Sequence, residues 1–238
     1  MTDGAVAPAA AERPPAPSWL RRRLRSASRF SRFMVQNTAL MTYIKYFQRK
    51  TYEPGRVTVI TATYNRPEKL REAIESVRAQ TYQNWEQIVV SDGPDPRVDA
   101  LVREIGDPRV RSFSTSRLPV MGNYQRNYAL KYATGEFVLY LDDDNIIYPH
   151  CLQTMVAGFD SEQIGFVVSP IHYGDTIKDP QPGFAYREID LLNYMVRRRL
   201  VEKVGGQRVH AIADYLLIRD IAAISKGNFL KELIGHHR

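Results

Sequence analysis

From Arg56 to Leu141 the chain alternates β-branched apolar runs with amphipathic stretches at helical spacing, and this alternation restricts the architecture more than any other feature. "VTVITATYN" (Val57 to Asn65) has the continuous apolar character of a strand buried on both faces. "RPEKLREAIESVRAQ" then puts Pro67 near a helix start and sets Leu70, Ala73, Ile74 and Val77 on one helical face. "WEQIVVSDG" predicts a second strand and a turn, and "PRVDALVREIG" a helix with Val98, Leu101, Val102 and Ile105 inward. "RVRSFST" predicts a third strand, "NYQRNYALKYATG" a helix closed by Gly135, and "EFVLYL" a fourth strand. Strands and helices in that order predict right-handed βαβ units wound into a Rossmann-like, doubly wound, mostly parallel α/β sheet.

The rest is less regular. "GFVVSPIHYGDT" reads as a strand and loop, "REIDLLNYMVRRRLVEKV" as a helix, and "HAIADYLLIRDIAAISKG" as a helix ending at Gly227. The apolar "NFLKELI" suggests an anchored helix before the terminal "IGHHR". With no internal repeat and no linker, residues 56–238 are expected to form a single domain.

Ahead of that domain the composition changes. Residues 1–17 are rich in Ala and Pro, with too little apolar bulk for a core, and read as disordered. Residues 18–55 read as a basic helical arm, with Leu20, Leu24, Ala27 and Met34 near one face. Between Ser18 and Lys50 lie nine Arg and Lys and no acid, so of the net charge of +7 the remainder of the chain carries −2. Two readings follow: an amphipathic helix in peripheral contact with an anionic membrane, or a helix packed on the body with its arginines in water. Nucleic acid is not an expected partner, because no groove-reading motif accompanies the charge. The lone Cys151 permits no intramolecular disulfide, and no run reaches the roughly 18 apolar residues of a membrane span. A cytoplasmic protein is the expectation, at the inner face of the membrane if the arm binds lipid.

Ligands of open α/β sheets bind beyond the carboxyl ends of the strands. Three polar clusters fall there: "TATYN", "SDG" and "DDDN". Two carboxylates about 4 Å apart repel by on the order of 4 kcal/mol even at a partly screened dielectric. Three in a row, Asp142, Asp143 and Asp144, therefore call for compensating positive charge. A hard divalent cation, Mg²⁺ or Mn²⁺, shared with a substrate phosphate is one such source. A solvated acidic turn is the plainer alternative.

"VTVITATYNRPEKLREAIESVRAQTYQNWEQIVVSDGPD" followed by "GNYQRNYALKYATGEFVLYLDDDN" resembles the nucleotide-binding half of the family 2 glycosyltransferases of GT-A fold, over roughly residues 56–155. The resemblance implies a nucleotide-sugar donor, with a UDP-sugar expected, and an acceptor half at 156–238. It implies that the stretch Thr61, Ala62, Thr63 and Tyr64 contacts the nucleobase through backbone and an aromatic ring, that Asp92 accepts from a uracil-type imide, and that Arg126 reaches the nucleotide. Ser91 stands where the family usually has a first acid. Asp143 and Asp144 match the aspartates on ribose and metal, a looser register uses Asp142 and Asp144, and Asp144 serves the metal in both.

A divalent cation that neutralises the diphosphate removes the need for a general acid, leaving a base to deprotonate the acceptor hydroxyl from the opposite face. Such a displacement inverts the anomeric centre. "HAIADYLLIRDIAA" resembles the family's acidic pair ahead of an aromatic-rich helix, with Ala213 where the first acid often stands, and this resemblance implies Asp214 as the base, its alternative role being a helix N-cap. Asp190 is a fallback, and Asp220 reads as a surface charge. The resemblance also implies that His236, His237 or Arg238 closes over the donor, with His236 the preferred metal ligand; a frayed terminus is the alternative. A dinucleotide-dependent oxidoreductase would need a glycine-rich turn after the first strand, and "TATYNRPE" has none. A non-catalytic nucleotide-sugar-binding or scaffold protein of the same fold stays open. The acceptor is a saccharide, a lipid-linked precursor or a small metabolite.

Overall fold

The computed structural model describes residues 18–46, 48, 52–118, 121–208, 210 and 212–238, with side chains from residue 31 onward. The expected disordered tail at 1–17 lies outside the described residues.

β1 (Glu53–Thr63), β2 (Trp85–Asp92), β3 (Val110–Thr115) and β4 (Gly135–Tyr140) form the expected strands. α2 (Pro67–Arg78), α3 (Pro96–Ile105) and α4 (Asn123–Ala129) connect them. β1 pairs parallel with both β2 and β4, and β2 with β3, so the order reverses between β1 and β4. That reversal opens a crevice at the carboxyl ends of the strands, where a doubly wound sheet takes its ligand. Alternation along β1 explains the two-sided burial: Val57 and Val59 pack with α2 and α3, while Ile60 faces α4. α3 starts on Asp95, whose carboxylate accepts from the Arg97 amide, and stops at Gly106 with φ of 65°. Gly135 begins β4 rather than closing α4.

The later part departs from expectation. "REIDLLNYMVRRRLVEKV" is not one helix but a 3₁₀ turn (Leu191–Asn193), β9 (Tyr194–Arg197) and α6 (Arg198–Val204). β9 inserts antiparallel between β4 and β6 (Ile164–Val168), and its four residues are buried. A strand buried on both faces shows no period of two, so its apolar run counts equally as a buried helix in sequence. α7 (Ala213–Ala222) ends before Gly227, which lies in β10 (Lys226–Phe229) beside β6. The expected helix at "NFLKELI" is likewise absent: β10 takes its first residues. β5 (Ile146–Ile147), β11 (Gly235–His237), β7 (Ile171–Tyr173) and β8 (Thr176–Lys178) make a second, four-stranded sheet in that spatial order. "GHH" is thus the central strand of a small sheet, not a frayed tail. α5 (Cys151–Ala157) buries Cys151, Leu152 and Met155 beneath it.

The basic arm forms α1 (Ser18–Tyr46). Its described side chains take the packed reading: Phe33, Met41 and Ile44 are buried, the last two against the core that includes α4 and α6. Met34, expected on the inner face, is exposed, one position off the buried stripe of residues 33, 41 and 44. The side chains of Leu20, Leu24 and Ala27 lie outside the described residues. Among the described residues no helix is long and apolar enough to cross a membrane.

Candidate functional site

The loop after β4 carries the three aspartates, and each meets different positive or donating groups. Asp142 pairs with the guanidinium of Arg126, which rises from α4 and also donates to the Met121 carbonyl at 2.9 Å and to Asn123 Oδ1 at 3.1 Å. Asp143 is buried, accepts from the Thr63 hydroxyl at 2.7 Å and lies 3.4 Å from Arg66. Burial pushes its carboxyl above the usual range, while the Thr63 hydrogen bond and Arg66 pull it back. Asp144 pairs with Arg66 at 2.7 Å and lies 3.9 Å from Lys69, both exposed side chains at the start of α2. The acid run is therefore offset by three cations already present in the fold.

These aspartates form one wall of a cleft of about 510 Å³ whose other walls include Ala62, Tyr64, Asp92, Arg117, Gly122 and His237. Asp92 Oδ1 accepts from the Leu118 amide at 2.6 Å and from Gln125 Nε2 at 2.8 Å; Oδ2 lies 3.5 Å from Arg117. Arg117 in turn lies over the Tyr64 ring, 3.3 Å from its centroid. The backbone turns into this cleft through two left-handed residues, Met121 (φ 57°) and Gly122 (φ 77°). A Cβ on Gly122 would stand 3.0 Å from the Ala62 Cβ and 3.3 Å from Arg126, so the loop approaches the floor as closely as glycine permits.

Of the residues expected here, Ala62, Tyr64, Asp92, Arg126, Asp142, Asp143 and Asp144 all line the cleft. Thr61 does not: its side chain is fully buried, accepting from Gln87 at 3.1 Å, because it lies on the same face as Thr63 but two residues deeper in the strand, while Thr63 stands at the strand end. Nor does His236, which packs edge-on to His172 with ring centroids 5.8 Å apart. Its neighbour His237 takes the cleft, as a one-residue step along β11 requires. Arg238 reaches the same loop, donating from Nε to the Asp144 carbonyl at 3.0 Å. Ser91 closes its turn by donating to the Gly93 carbonyl at 2.6 Å. Arg66, Arg117 and Gln125 were not singled out in sequence; Arg66 stands one residue past "TATYN" and Gln125 directly before Arg126 in "NYQRN", while Arg117 lies in no motif.

His237 joins this cleft to a second. Its Nδ1 stands 3.5 Å from Asp190 Oδ2, and its ring stacks on Tyr173 at 4.3 Å. The Asp190 partner raises the imidazole pKa, and although burial opposes ionisation of Asp190, the His237 hydrogen bond holds that carboxyl low. Asp190 also caps the 3₁₀ turn, accepting from the Leu192 amide at 3.1 Å. Beyond the pair lies a cleft of about 420 Å³, lined by Tyr173, Tyr186 and Tyr215, Lys178 and Arg187, and Asp190 and Asp214. Asp214 sits in the first turn of α7 without capping it; Ile212 holds the cap position. Burial raises the Asp214 carboxyl to about 6, tempered by nearby Arg126 and reinforced by Asp142 and Asp190. A carboxylate of that basicity accepts a proton more readily than an ordinary one near neutrality. Asp220 is remote from both clefts, paired with Arg219 at 2.7 Å and with Arg208.

The donor set suits a hard cation. Asp142 and Asp144 present carboxylate oxygen to the first cleft. Among the described residues, no cluster of three or more His, Cys, Asp or Glu is arranged to hold an ion alone. One or two carboxylates at a cleft match an Mg²⁺ or Mn²⁺ that takes its remaining oxygens from phosphate and water.

Comparison with known proteins agrees with this geometry. Residues 58–220 match the family profile for glycosyl transferase family 2. A β-1,3-glucosyltransferase from Escherichia coli, WfgD, whose name gives UDP-Glc and α-D-GlcNAc-diphosphoundecaprenol as its substrates, is 32% identical over 111 residues, 47% of this chain and 44% of that one. An uncharacterized glycosyltransferase of Methanocaldococcus jannaschii is 27% identical over 76% of this chain and 70% of that one. The chain thus spans less than half the length of the E. coli relative. Among solved structures, S. aureus TarS in complex with UDP superposes with a TM-score of 0.64 at 18% identity, over 76% of this chain and 60% of that one. A Pyrobaculum calidifontis mannosyltransferase, PcManGT, in complex with GDP-Man and Mn²⁺ superposes at 0.60 and 20% identity, over 89% of this chain and 66% of that one. These likenesses establish the GT-A fold.

Proposed function

The chain belongs to glycosyl transferase family 2, and from that premise we propose that it transfers a sugar, with inversion, from a nucleotide-sugar to an acceptor hydroxyl, with Asp214 as general base. The observation that carries this reading is the pair of clefts meeting at His237 and Asp190. One is built of carboxylates and arginines at the switch point of the sheet, the other of tyrosines around a carboxylate of raised basicity.

In this reading residues 56–155 hold the donor and residues 156–238 the acceptor. The nucleobase lies against Tyr64 with Asp92 toward its imide; UDP-Glc in the name of the E. coli relative and UDP in the TarS complex make uracil the favoured base over the guanine of the PcManGT complex. Asp143, kept in place by Thr63 and Arg66, faces the ribose, and Arg126 and Arg66 draw the diphosphate into the cleft. Asp144, with Asp142 beside it, holds the Mg²⁺ or Mn²⁺. When bound, that cation neutralises the diphosphate and makes it a better leaving group. Asp214 takes the proton of the acceptor hydroxyl as that oxygen attacks the anomeric carbon on the face away from the diphosphate, so one bond forms as one breaks and the configuration inverts. Incubation of the protein with Mn²⁺ and UDP-, GDP-, dTDP- or CDP-sugars tests the donor half directly, because donors of this type are also slowly hydrolysed. Metal-dependent release of one nucleoside diphosphate, abolished in Asp144→Ala, is the expected result; nucleotide release unaffected by Asp144→Ala would overturn the assignment.

A further inference from the structure

The second cleft combines features that a neutral sugar alone does not call for. Lys178 and Arg187 both line it, and neither forms a salt bridge among the described residues, Lys178 lying only near enough to Asp190 to help hold that carboxyl low. Lys178 instead lies over the Tyr173 ring at 3.8 Å and Arg187 over the Tyr186 ring at 5.7 Å. Most other arginines around the two clefts are paired: Arg66, Arg117 and Arg126 each meet an aspartate. Tyr173 is sandwiched between His237 and Lys178, whereas Tyr186, 45% exposed, offers a flat face at the cleft mouth. Asp190 adds little repulsion to an anion there, since His237 already faces it.

We infer that Lys178 and Arg187 bind a phosphate group of the acceptor, so that the sugar receiving the transfer is itself a glycosyl phosphate or diphosphate. The sugar stacks on Tyr186 with its hydroxyl toward Asp214, and its phosphate lies outward between the two cations. Cations resting on aromatic faces are positioned without being neutralised, which keeps them available to an incoming anion. This inference rests on the reading of the second cleft as the acceptor side. Two sources share the chemistry: a lipid carrying the sugar on a diphosphate, and a soluble or polymeric glycosyl phosphate.

The test uses the full chain saturated with UDP and Mn²⁺, so that the first cleft is closed to phosphate. Glucose, galactose, mannose, GlcNAc and their 1-phosphates are titrated calorimetrically, together with GlcNAc diphosphate carrying a short prenyl chain. At least one 1-phosphate should bind about tenfold to a hundredfold more tightly than its parent sugar, a charge-assisted contact's worth. Lys178→Ala/Arg187→Ala should abolish that preference, while Lys178→Arg keeps it and UDP binding is unchanged in all variants. Tighter binding of the prenyl compound assigns a lipid source, and equal binding a soluble or polymeric one; both support the inference. No preference for phosphate, or a preference that survives the double substitution, overturns it. Failure of UDP to bind the wild-type protein would instead overturn the donor reading.

Discussion

The two clefts are built by opposite routes. The first draws most of its polar wall from three adjacent strand ends, β4, β1 and β2, each carrying a short contiguous motif: "DDDN", "TATYN", "SDG". The second draws on β7, β8, the loop before the 3₁₀ turn and the start of α7, with Tyr173 and Tyr215 more than forty positions apart. A βαβ array writes its binding residues at predictable places along the chain. A site assembled over an antiparallel insertion and a small second sheet does not. The difference also divides the energetics, since the first cleft is braced by salt-bridged pairs, whereas in the second Lys178, Arg187 and the raised carboxylate of Asp214 form no salt bridge among the described residues.

The comparison is most strongly tested at its catalytic carboxylates. Asp214→Asn should lower kcat by about 10²- to 10⁴-fold, the usual contribution of a general base, with donor affinity unchanged. Steady-state kinetics beside UDP calorimetry reads both. Asp142→Ala acts differently, for it removes the carboxylate partner of the buried Arg126 guanidinium, which keeps the Met121 carbonyl and Asn123, and should cost about 1–3 kcal/mol of stability, seen as a lower midpoint in urea.

The pH dependence is worked out from Asp214. Its folded pKa, about 6, lies above the ordinary value, so kcat/KM should fall with unit slope below about pH 6 as the base becomes protonated. The same shift means the native state holds that proton more tightly than the unfolded chain. Its stabilising contribution is complete below the unfolded carboxylate value and is lost as pH rises through about 6. Asp214→Asn should therefore raise Tm relative to wild type at pH 8 and not at pH 4, in a thermal melt at each pH. A base buried for function and costly to stability is the result this would establish.

Smaller effects separate neighbours. Gly122→Ala forces a side chain into the left-handed region and against Ala62, at about 1–2 kcal/mol, and should weaken UDP binding by roughly tenfold. His237→Ala should reduce activity several-fold by releasing Asp190, whereas His236→Ala, whose ring faces His172, should leave it nearly unchanged.

How much the sequence discloses follows the same division. The four parallel strands, the helices between them and the cleft aspartates were legible because their periodicity and motifs are local. β9 was not, since a fully buried four-residue strand has no alternation to display. The choice of His237 over His236 depended on the register of β11 between β5 and β7, which no residue near the terminus encodes. The depth of the Thr61 side chain was not legible either, since Thr61 and Thr63 share a face of β1 and only their distance from the strand end separates interior from cleft. Asp190 and Asp214 were visible as candidates, but their partnership with His237 and the tyrosines comes from contacts across the second half.

The most direct test of the division between the clefts is calorimetric titration of UDP with Mn²⁺ into Asp144→Ala and Asp214→Asn in parallel with the wild-type protein. Loss of metal-dependent binding in Asp144→Ala and full retention in Asp214→Asn is the predicted result. Equal loss in both, from folded protein, would contradict it, because a base on the acceptor side has no part in holding the donor.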